Sequence, residues 1–198
     1  MVKPSLGNGI SDLAYVGKNT SISEKSIVSN FANISDGVTL QNDVIVGSGV
    51  SIGENSLIGS GTKIYPNVVI YDSVEIGANC IIHSGTVIGS DGLGFAKDKG
   101  EWVKIEHLGK VIIGDNVEIG SNTSIDRGSV GNTHIEDNVK IDNLVHLAHN
   151  VKIGSGTAIA ANSAIAGSSI IGKNCTLAGC CAVVDNIELS DEVHITAI

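Results

Sequence analysis

An aliphatic residue recurs at every sixth position along almost the whole chain, and this period excludes most folds. An amphipathic α-helix needs a period of about 3.6 residues and a coiled coil about 3.5, so neither keeps these residues on one face. A spacing of six fits a short strand followed by a corner, and three such units close a triangular coil of about 18 residues. The aliphatic positions are Ile10, Val16, Ile22, Val28, Ile34, Leu40, Val46, Ile52, Ile58, Ile64, Ile70, Ile76, Ile82 and Ile88, then Ile113, Ile119 and Ile125, then Ile135, Ile141, Leu147, Ile153, Ile159, Ile165, Ile171, Leu177, Val183, Leu189 and Ile195.

The composition fits a core of stacked strands rather than packed helices. Only 3 % of the residues are aromatic although 42 % are hydrophobic, so small and β-branched side chains must fill the interior. Gly often follows the aliphatic position, where we expect the backbone to turn tightly, and Asn is frequent nearby because it tolerates the left-handed conformation. These features predict an all-β fold: a parallel β-helix of about nine coils over residues 10–198, after a lead-in at 1–9.

Charge and hydropathy exclude several classes of function. The net charge of −9 argues against a broad nucleic-acid surface, which needs clustered Lys and Arg. No apolar run is long enough to cross a bilayer, and the first ten residues lack the hydrophobic core of a signal peptide, so the sequence predicts a cytoplasmic protein. Cys80, Cys175 and Cys181 each stand four residues after an aliphatic position, and we interpret them as inward-facing filler.

Two insertions interrupt the period. The longer, at 89–110, should leave the solenoid at a corner and project as a loop, and such loops often carry function. It holds Phe95 and the single tryptophan, Trp102, in a chain with few aromatic residues. A packing flap over the solenoid is the alternative interpretation of this loop. A short second insertion falls at 129–134.

The repeat resembles the hexapeptide-repeat acyltransferase superfamily, whose fold is a left-handed parallel β-helix. Within it, several segments are similar to the family of UDP-3-O-acylglucosamine N-acyltransferases: residues 89–95, 102–105, 109–114, 125–128, 141–143 and 148–151. The resemblance implies an enzyme of lipid A biosynthesis that moves a 3-hydroxyacyl chain from acyl carrier protein to the 2-amino group of a UDP-3-O-acylglucosamine. It also implies a homotrimer with active sites between subunits. The acyl donor would be the 4′-phosphopantetheine thioester of acyl carrier protein, with no bound cofactor.

The same resemblance assigns the catalytic roles. Amide formation from a thioester needs a base for the attacking amine and donors for the oxyanion of the tetrahedral intermediate. His149, two residues after Leu147, matches the family's general base, and Asp142 matches the residue that orients it. Gly167 stands one coil after His149, so we expect the two to stack and the Gly167 N–H to meet the oxyanion.

Five more residues are candidate substrate contacts, and no metal site is predicted. His146 has an alternative interpretation as a surface residue, and with His149 it makes no metal pair, because a three-residue spacing does not place two side chains on one face of a β-helix. The other histidines lack the paired spacing of β-helices that hold zinc, which leaves a zinc hydratase as a distant alternative. The candidate substrate contacts are Gly94, Phe95, Trp102, His146 and Asn150.

The chain also departs from the family. It begins near the first coil, where the family has a domain that stacks on the uracil ring, and the family's C-terminal helices would follow Ile198. Asn186 matches a second family histidine, and an amide donates hydrogen bonds but carries no proton at neutral pH. We therefore expect a truncated catalytic core. Two alternatives remain: an N-acetyltransferase on a nucleotide sugar that uses acetyl-CoA, and a trimeric β-helix without activity.

Overall fold

A computed structural model describes residues 9–196, and these residues wind into a left-handed parallel β-helix with three flat sheets. After each strand the chain turns a corner into the next sheet, so every third strand of the regular coils pairs in parallel with its predecessor. Among the described residues each sheet has nine strands, which agrees with the prediction of about nine coils. The predicted lead-in lies outside the described residues, apart from Gly9.

The strands of the three sheets, numbered in chain order, are two to four residues long. The first sheet contains β1 (Tyr15–Val16), β4 (Asn33–Ile34), β7 (Ser51–Ile52), β10 (Val69–Ile70), β13 (Val87–Ser90), β18 (Ser124–Asp126), β21 (His146–Leu147), β24 (Ala164–Ile165) and β27 (Ala182–Val183). The second contains β2 (Ser21–Ile22), β5 (Thr39–Leu40), β8 (Leu57–Ile58), β11 (Glu75–Ile76), β16 (Val111–Ile113), β19 (Thr133–Ile135), β22 (Lys152–Ile153), β25 (Ile170–Ile171) and β28 (Glu188–Leu189). The third contains β3 (Ile27–Val28), β6 (Ile45–Val46), β9 (Lys63–Ile64), β12 (Ile81–Ile82), β17 (Glu118–Ile119), β20 (Lys140–Ile141), β23 (Ala158–Ile159), β26 (Thr176–Leu177) and β29 (His194–Ile195).

The periodic aliphatic residues form columns along the inside of the prism. Leu147 pairs with Ile165, one coil on, and with Ile125 across the short insertion, and all three are fully buried. Apolar residues four positions after the periodic ones, such as Val151 after Leu147, complete the core. The chain thus gains its burial from coil-to-coil stacking, as expected of a solenoid.

Three cysteines belong to this core, as predicted. Cys80, Cys175 and Cys181 are buried free thiols, whereas Cys180 is exposed. Burial raises the pKa of the Cys80 thiol, which therefore behaves as an apolar filler and not as a nucleophile.

The glycines that follow the aliphatic positions serve a different purpose from the one the sequence suggested. Gly47 has no positive φ; it is needed because a Cβ there would stand 2.7 Å from the Pro66 nitrogen of the next coil. The left-handed conformation falls two residues later, for example at Asn55 with φ 57° and Gly49 with φ 69°. Close packing of neighbouring corners, rather than backbone turning, explains the first set of glycines, apart from Gly89, whose φ is 95°.

The long insertion forms an antiparallel hairpin outside the prism. Its strands are β14 (Phe95–Asp98) and β15 (Glu101–Lys104), and all eight residues are exposed. The chain leaves the prism after β13 of the first sheet and returns at β16 of the second. No helix in residues 9–196 is long and apolar enough to cross a membrane.

Candidate active site

All the irregular features lie at one corner of the prism, between the first and second sheets; we call this corner the first edge. The hairpin emerges there after β13, the short insertion follows β18, and His149 follows β21. Gly167 and Asn186 lie at the same edge on the next two coils. A regular solenoid carries its departures from the repeat where binding or chemistry occurs, so the first edge is the candidate active site.

The imidazole of His149 is held by the amide of Asn150. The His149 Nδ1 lies 3.1 Å from the Asn150 Oδ1. That oxygen also accepts from the Ser129 N–H at 3.0 Å and from the Ser129 hydroxyl at 2.8 Å, which fixes the orientation of the amide. Because an amide oxygen only accepts, Nδ1 must carry a proton and Nε2 keeps its lone pair. The basic atom of His149 is therefore Nε2.

Gly167 stacks directly beside the basic side of this ring, as the sequence predicts. A Cβ on residue 167 would stand 2.7 Å from the His149 Cε1 and 2.8 Å from Nε2, so only glycine leaves room for the imidazole. The Ser168 N–H donates to the His149 carbonyl at 2.9 Å, which locks the two coils in register at this point.

The Gly167 N–H donates to no group among residues 9–196. At some equivalent positions, those of Lys18, Ala78 and Lys173, the N–H donates to an aspartate carboxylate on the following coil, whereas at others, such as Ser48 and Gly179, the N–H also has no partner among residues 9–196. The aspartate above Gly167 is Asp185, which instead accepts from the Asn186 amide at 3.0 Å. An unpaired N–H beside Nε2 is the donor that an oxyanion needs.

The structure does not bring Asp142 to His149 within one chain. Asp142 follows β20 at the corner between the third and first sheets, one corner before His149, where its carboxylate accepts the Asn143 N–H at 2.7 Å. It lines a groove along the third sheet with His83 and Lys140. Within the chain, Asn150 holds the ring nitrogen that the sequence interpretation gave to Asp142.

Asp126 is the carboxylate that lies near His149, and the sequence interpretation did not single it out. A Cβ on Gly92 would stand 2.8 Å from the Asp126 Oδ2 and 3.3 Å from the His149 Cδ2, so both groups border one small volume. Burial raises the pKa of Asp126, while His146, whose Nε2 is 3.7 Å away, and the Ser90 hydroxyl at 3.1 Å lower it. The signal was available, because Asp126 directly follows an inward-facing isoleucine at the first edge.

The loop residues predicted to bind substrate divide into two groups. Gly94 is at the base of the hairpin and packs against His107. Phe95 and Trp102 are exposed on the hairpin, and the Lys97 ammonium lies 5.1 Å from the centre of the Trp102 ring. Both aromatic side chains are partly exposed near the first edge, Phe95 by 44 % and Trp102 by 66 %, and are available for binding.

Family comparisons agree with the repeat. Residues 55–90 and 132–167 match the family described as bacterial transferase hexapeptide (six repeats), and 110–148 match the hexapeptide repeat of succinyl-transferase. The segment 132–167 includes both His149 and Gly167. Residues 55–90 and 110–167 thus carry the hexapeptide repeat that these transferase families share.

Segments of the chain are also similar to curated acyltransferases. The chain is 45 % identical over 108 residues to a UDP-3-O-acylglucosamine N-acyltransferase of Delftia acidovorans, across 54 % of this chain and 32 % of that protein. A match to the corresponding 3-hydroxymyristoyl enzyme of Wigglesworthia glossinidia brevipalpis is 49 % identical over 54 residues, or 27 % of this chain and 16 % of that protein. The chain thus covers a third or less of these relatives.

A solved UDP-N-acetylglucosamine acyltransferase from Bacteroides fragilis superposes with a TM-score of 0.61 at 26 % identity, over 87 % of this chain and 66 % of that one. The corresponding enzyme from Moraxella catarrhalis gives a TM-score of 0.59 at 23 % identity, over 94 % and 66 % of the two chains, and shows the fold alone.

Proposed function

We propose that this chain is the β-helical core of an N-acyltransferase that transfers a 3-hydroxyacyl group to the 2-amino group of UDP-3-O-acylglucosamine, with His149 as the general base. The observation that carries the proposal is the His149 Nε2, left free by the bond of Nδ1 to Asn150, beside the unpaired N–H of Gly167. The names of the curated relatives support the acyl acceptor. The donor in this proposal is an acyl carrier protein thioester.

The geometry supports one order of events at the first edge. The His149 Nε2 takes a proton from the amine as the amine nitrogen attacks the thioester carbonyl carbon. The carbonyl oxygen becomes an oxyanion and accepts a hydrogen bond from the Gly167 N–H. The carbon–sulfur bond then breaks, the amide remains, and His149 returns the proton to the departing thiolate.

The remaining predicted residues take part in the proposal as follows. Phe95 and Trp102 offer exposed aromatic surface to the acceptor, and Asn186 lies one coil beyond Gly167, to whose carbonyl its N–H donates at 3.0 Å. Asp142 acts on His149 only if a second copy brings its corner to the first edge, so its role depends on the predicted homotrimer. The cytoplasmic location belongs to the same proposal.

The test is acyl transfer from 3-hydroxyacyl carrier protein to UDP-3-O-acylglucosamine, followed by mass spectrometry of the product. The His149→Ala variant should lose activity, while His134→Ala, which removes an imidazole from the second sheet, should keep it. Acetyl-CoA in place of the acyl carrier protein tests the acetyltransferase alternative in the same assay. A folded chain without turnover on either donor would favour the inactive scaffold, and activity that survives in His149→Ala would exclude His149 as the base.

A further inference from the structure

His107 is an imidazole buried beside His149. It lies on the return limb of the long insertion and is only 6 % exposed. Within residues 9–196, neither of its ring nitrogens has a partner. Buried polar groups are nearly always paired, so an imidazole with two unpaired nitrogens calls for a physical explanation.

The loop is shaped to accommodate this ring. A Cβ on Gly94 would stand 2.5 Å from the His107 Cε1 and 3.1 Å from its Nδ1, so glycine makes the space that the ring fills. The ring meets His149 edge to face, with 5.6 Å between ring centres and 72° between planes. A phenyl ring would offer similar packing without burying two polar atoms. The packing alone therefore does not explain a histidine.

Several charged groups surround the pair of imidazoles. Asp126 borders the same volume as His149 on the prism side, and His146 approaches Asp126 from β21. On the loop side Asp91 is paired with Lys104 at 2.6 Å. During transfer His149 becomes an imidazolium, and the groups packed against it decide how well that charge is accommodated.

We propose that His107 is a positioning residue for His149: its buried imidazole, packed edge to face against the His149 ring, supplies a fixed dipole to the imidazolium that His149 forms during transfer. This rests on the proposed function only in taking His149 as the base. A neutral imidazole always has one nitrogen that accepts, whereas a phenyl ring has none. The unpaired nitrogens of His107 weaken the resting fold. The dipole of the same ring is oriented in advance and stabilises the His149 imidazolium when it forms.

The experiment compares His107→Phe, His107→Gln and the control His134→Phe in the full chain. The phenyl variant should unfold at a higher urea concentration than the wild type because it buries no unpaired nitrogen. Its kcat should fall by roughly tenfold with KM little changed, since a dipole that acts through His149 contributes less than a direct oxyanion donor. The glutamine variant keeps an acceptor and should recover most of that loss, while the control should alter neither rate nor stability.

A second readout does not depend on turnover. Urea unfolding measures what the two unpaired nitrogens cost the resting fold, so it tests the role of His107 even if neither protein turns over and the proposed reaction fails. A His107→Phe variant that is no more stable than the wild type would overturn the proposal. Equal rate losses in the Phe and Gln variants would also overturn it.

Discussion

Replacement of Gly167 by alanine tests the stacking on which the candidate site depends. The added Cβ would stand 2.7 Å from Cε1 and 2.8 Å from Nε2 of His149, whereas non-bonded carbon atoms prefer about 3.5–4.0 Å. The ring must therefore retreat by roughly 1 Å, and a misplacement of that size costs on the order of 100-fold in rate. Residue 167 has no positive φ, so the backbone itself accepts alanine and the effect comes from the ring.

The matched control is Gly179→Ala. Gly179 occupies the same position after Leu177 that Gly167 occupies after Ile165, and the nearest atom to an added Cβ is the Ala161 carbonyl oxygen at 3.3 Å. Steady-state kcat, urea unfolding and the His149 ring resonances would be measured on both variants. Gly167→Ala should lose rate with a stability loss of about 1 kcal/mol, at the low end for overpacking, because the half-buried ring can swing outward. A displaced His149 ring together with an unchanged kcat would refute the assignment of this geometry to catalysis.

Three further changes give separate tests. Asn150→Ala removes the acceptor for the His149 Nδ1–H. Loss of a hydrogen bond of about 1 kcal/mol should shift the population ratio of the two ring tautomers about fivefold, as read from ¹⁵N resonances. An unaltered ratio would contradict this assignment. Burial raises the pKa of Asp126, so its contribution to stability is complete below the ordinary value of 3.8 and is lost as pH rises through the raised pKa. The stability of Asp126→Asn relative to the wild type, measured by urea unfolding, should therefore increase between pH 4 and pH 7. The same pH dependence of stability in both proteins would count against the raised pKa. Ile119→Ala should cost about 2–5 kcal/mol of unfolding free energy at its fully buried position and leave the His149 resonances in place; a smaller loss would mean that the coil collapses around the gap.

The period of six residues predicts the fold in detail because, in a solenoid, the arithmetic of counting residues gives the coil and the corner of each one. Residues 18 apart pair across coils, as Leu147 does with Ile165, which is why His149 was expected beside Gly167. The same arithmetic identified the inward-facing cysteines, of which Cys80 is an example. It needs no knowledge of side-chain orientation, only of which corner a residue occupies.

The arithmetic does not extend to side-chain orientation or to the insertions. Asp142 stands one repeat before His149, which in a triangular coil means the preceding corner and not the same one. His107 lies in the long insertion, where no repeat gives its position, and its contact with His149 depends on how the loop returns. The glycines after the aliphatic positions were expected for tight turns, yet Gly47 is required by the backbone of the neighbouring coil.

The separation of stability from chemistry follows from the same geometry. The buried columns of aliphatic residues hold the coils together along all three sheets, so the first edge can accept unfavourable groups without loss of the fold. Among residues 9–196, Asp126 is a buried carboxyl with a raised pKa, and the ring nitrogens of His107 have no hydrogen bond. Each weakens the folded state slightly, and both groups lie beside the His149 ring. Because they occur together at the edge that carries both insertions, the charges of the proposed transfer reaction explain them better than the needs of the solenoid.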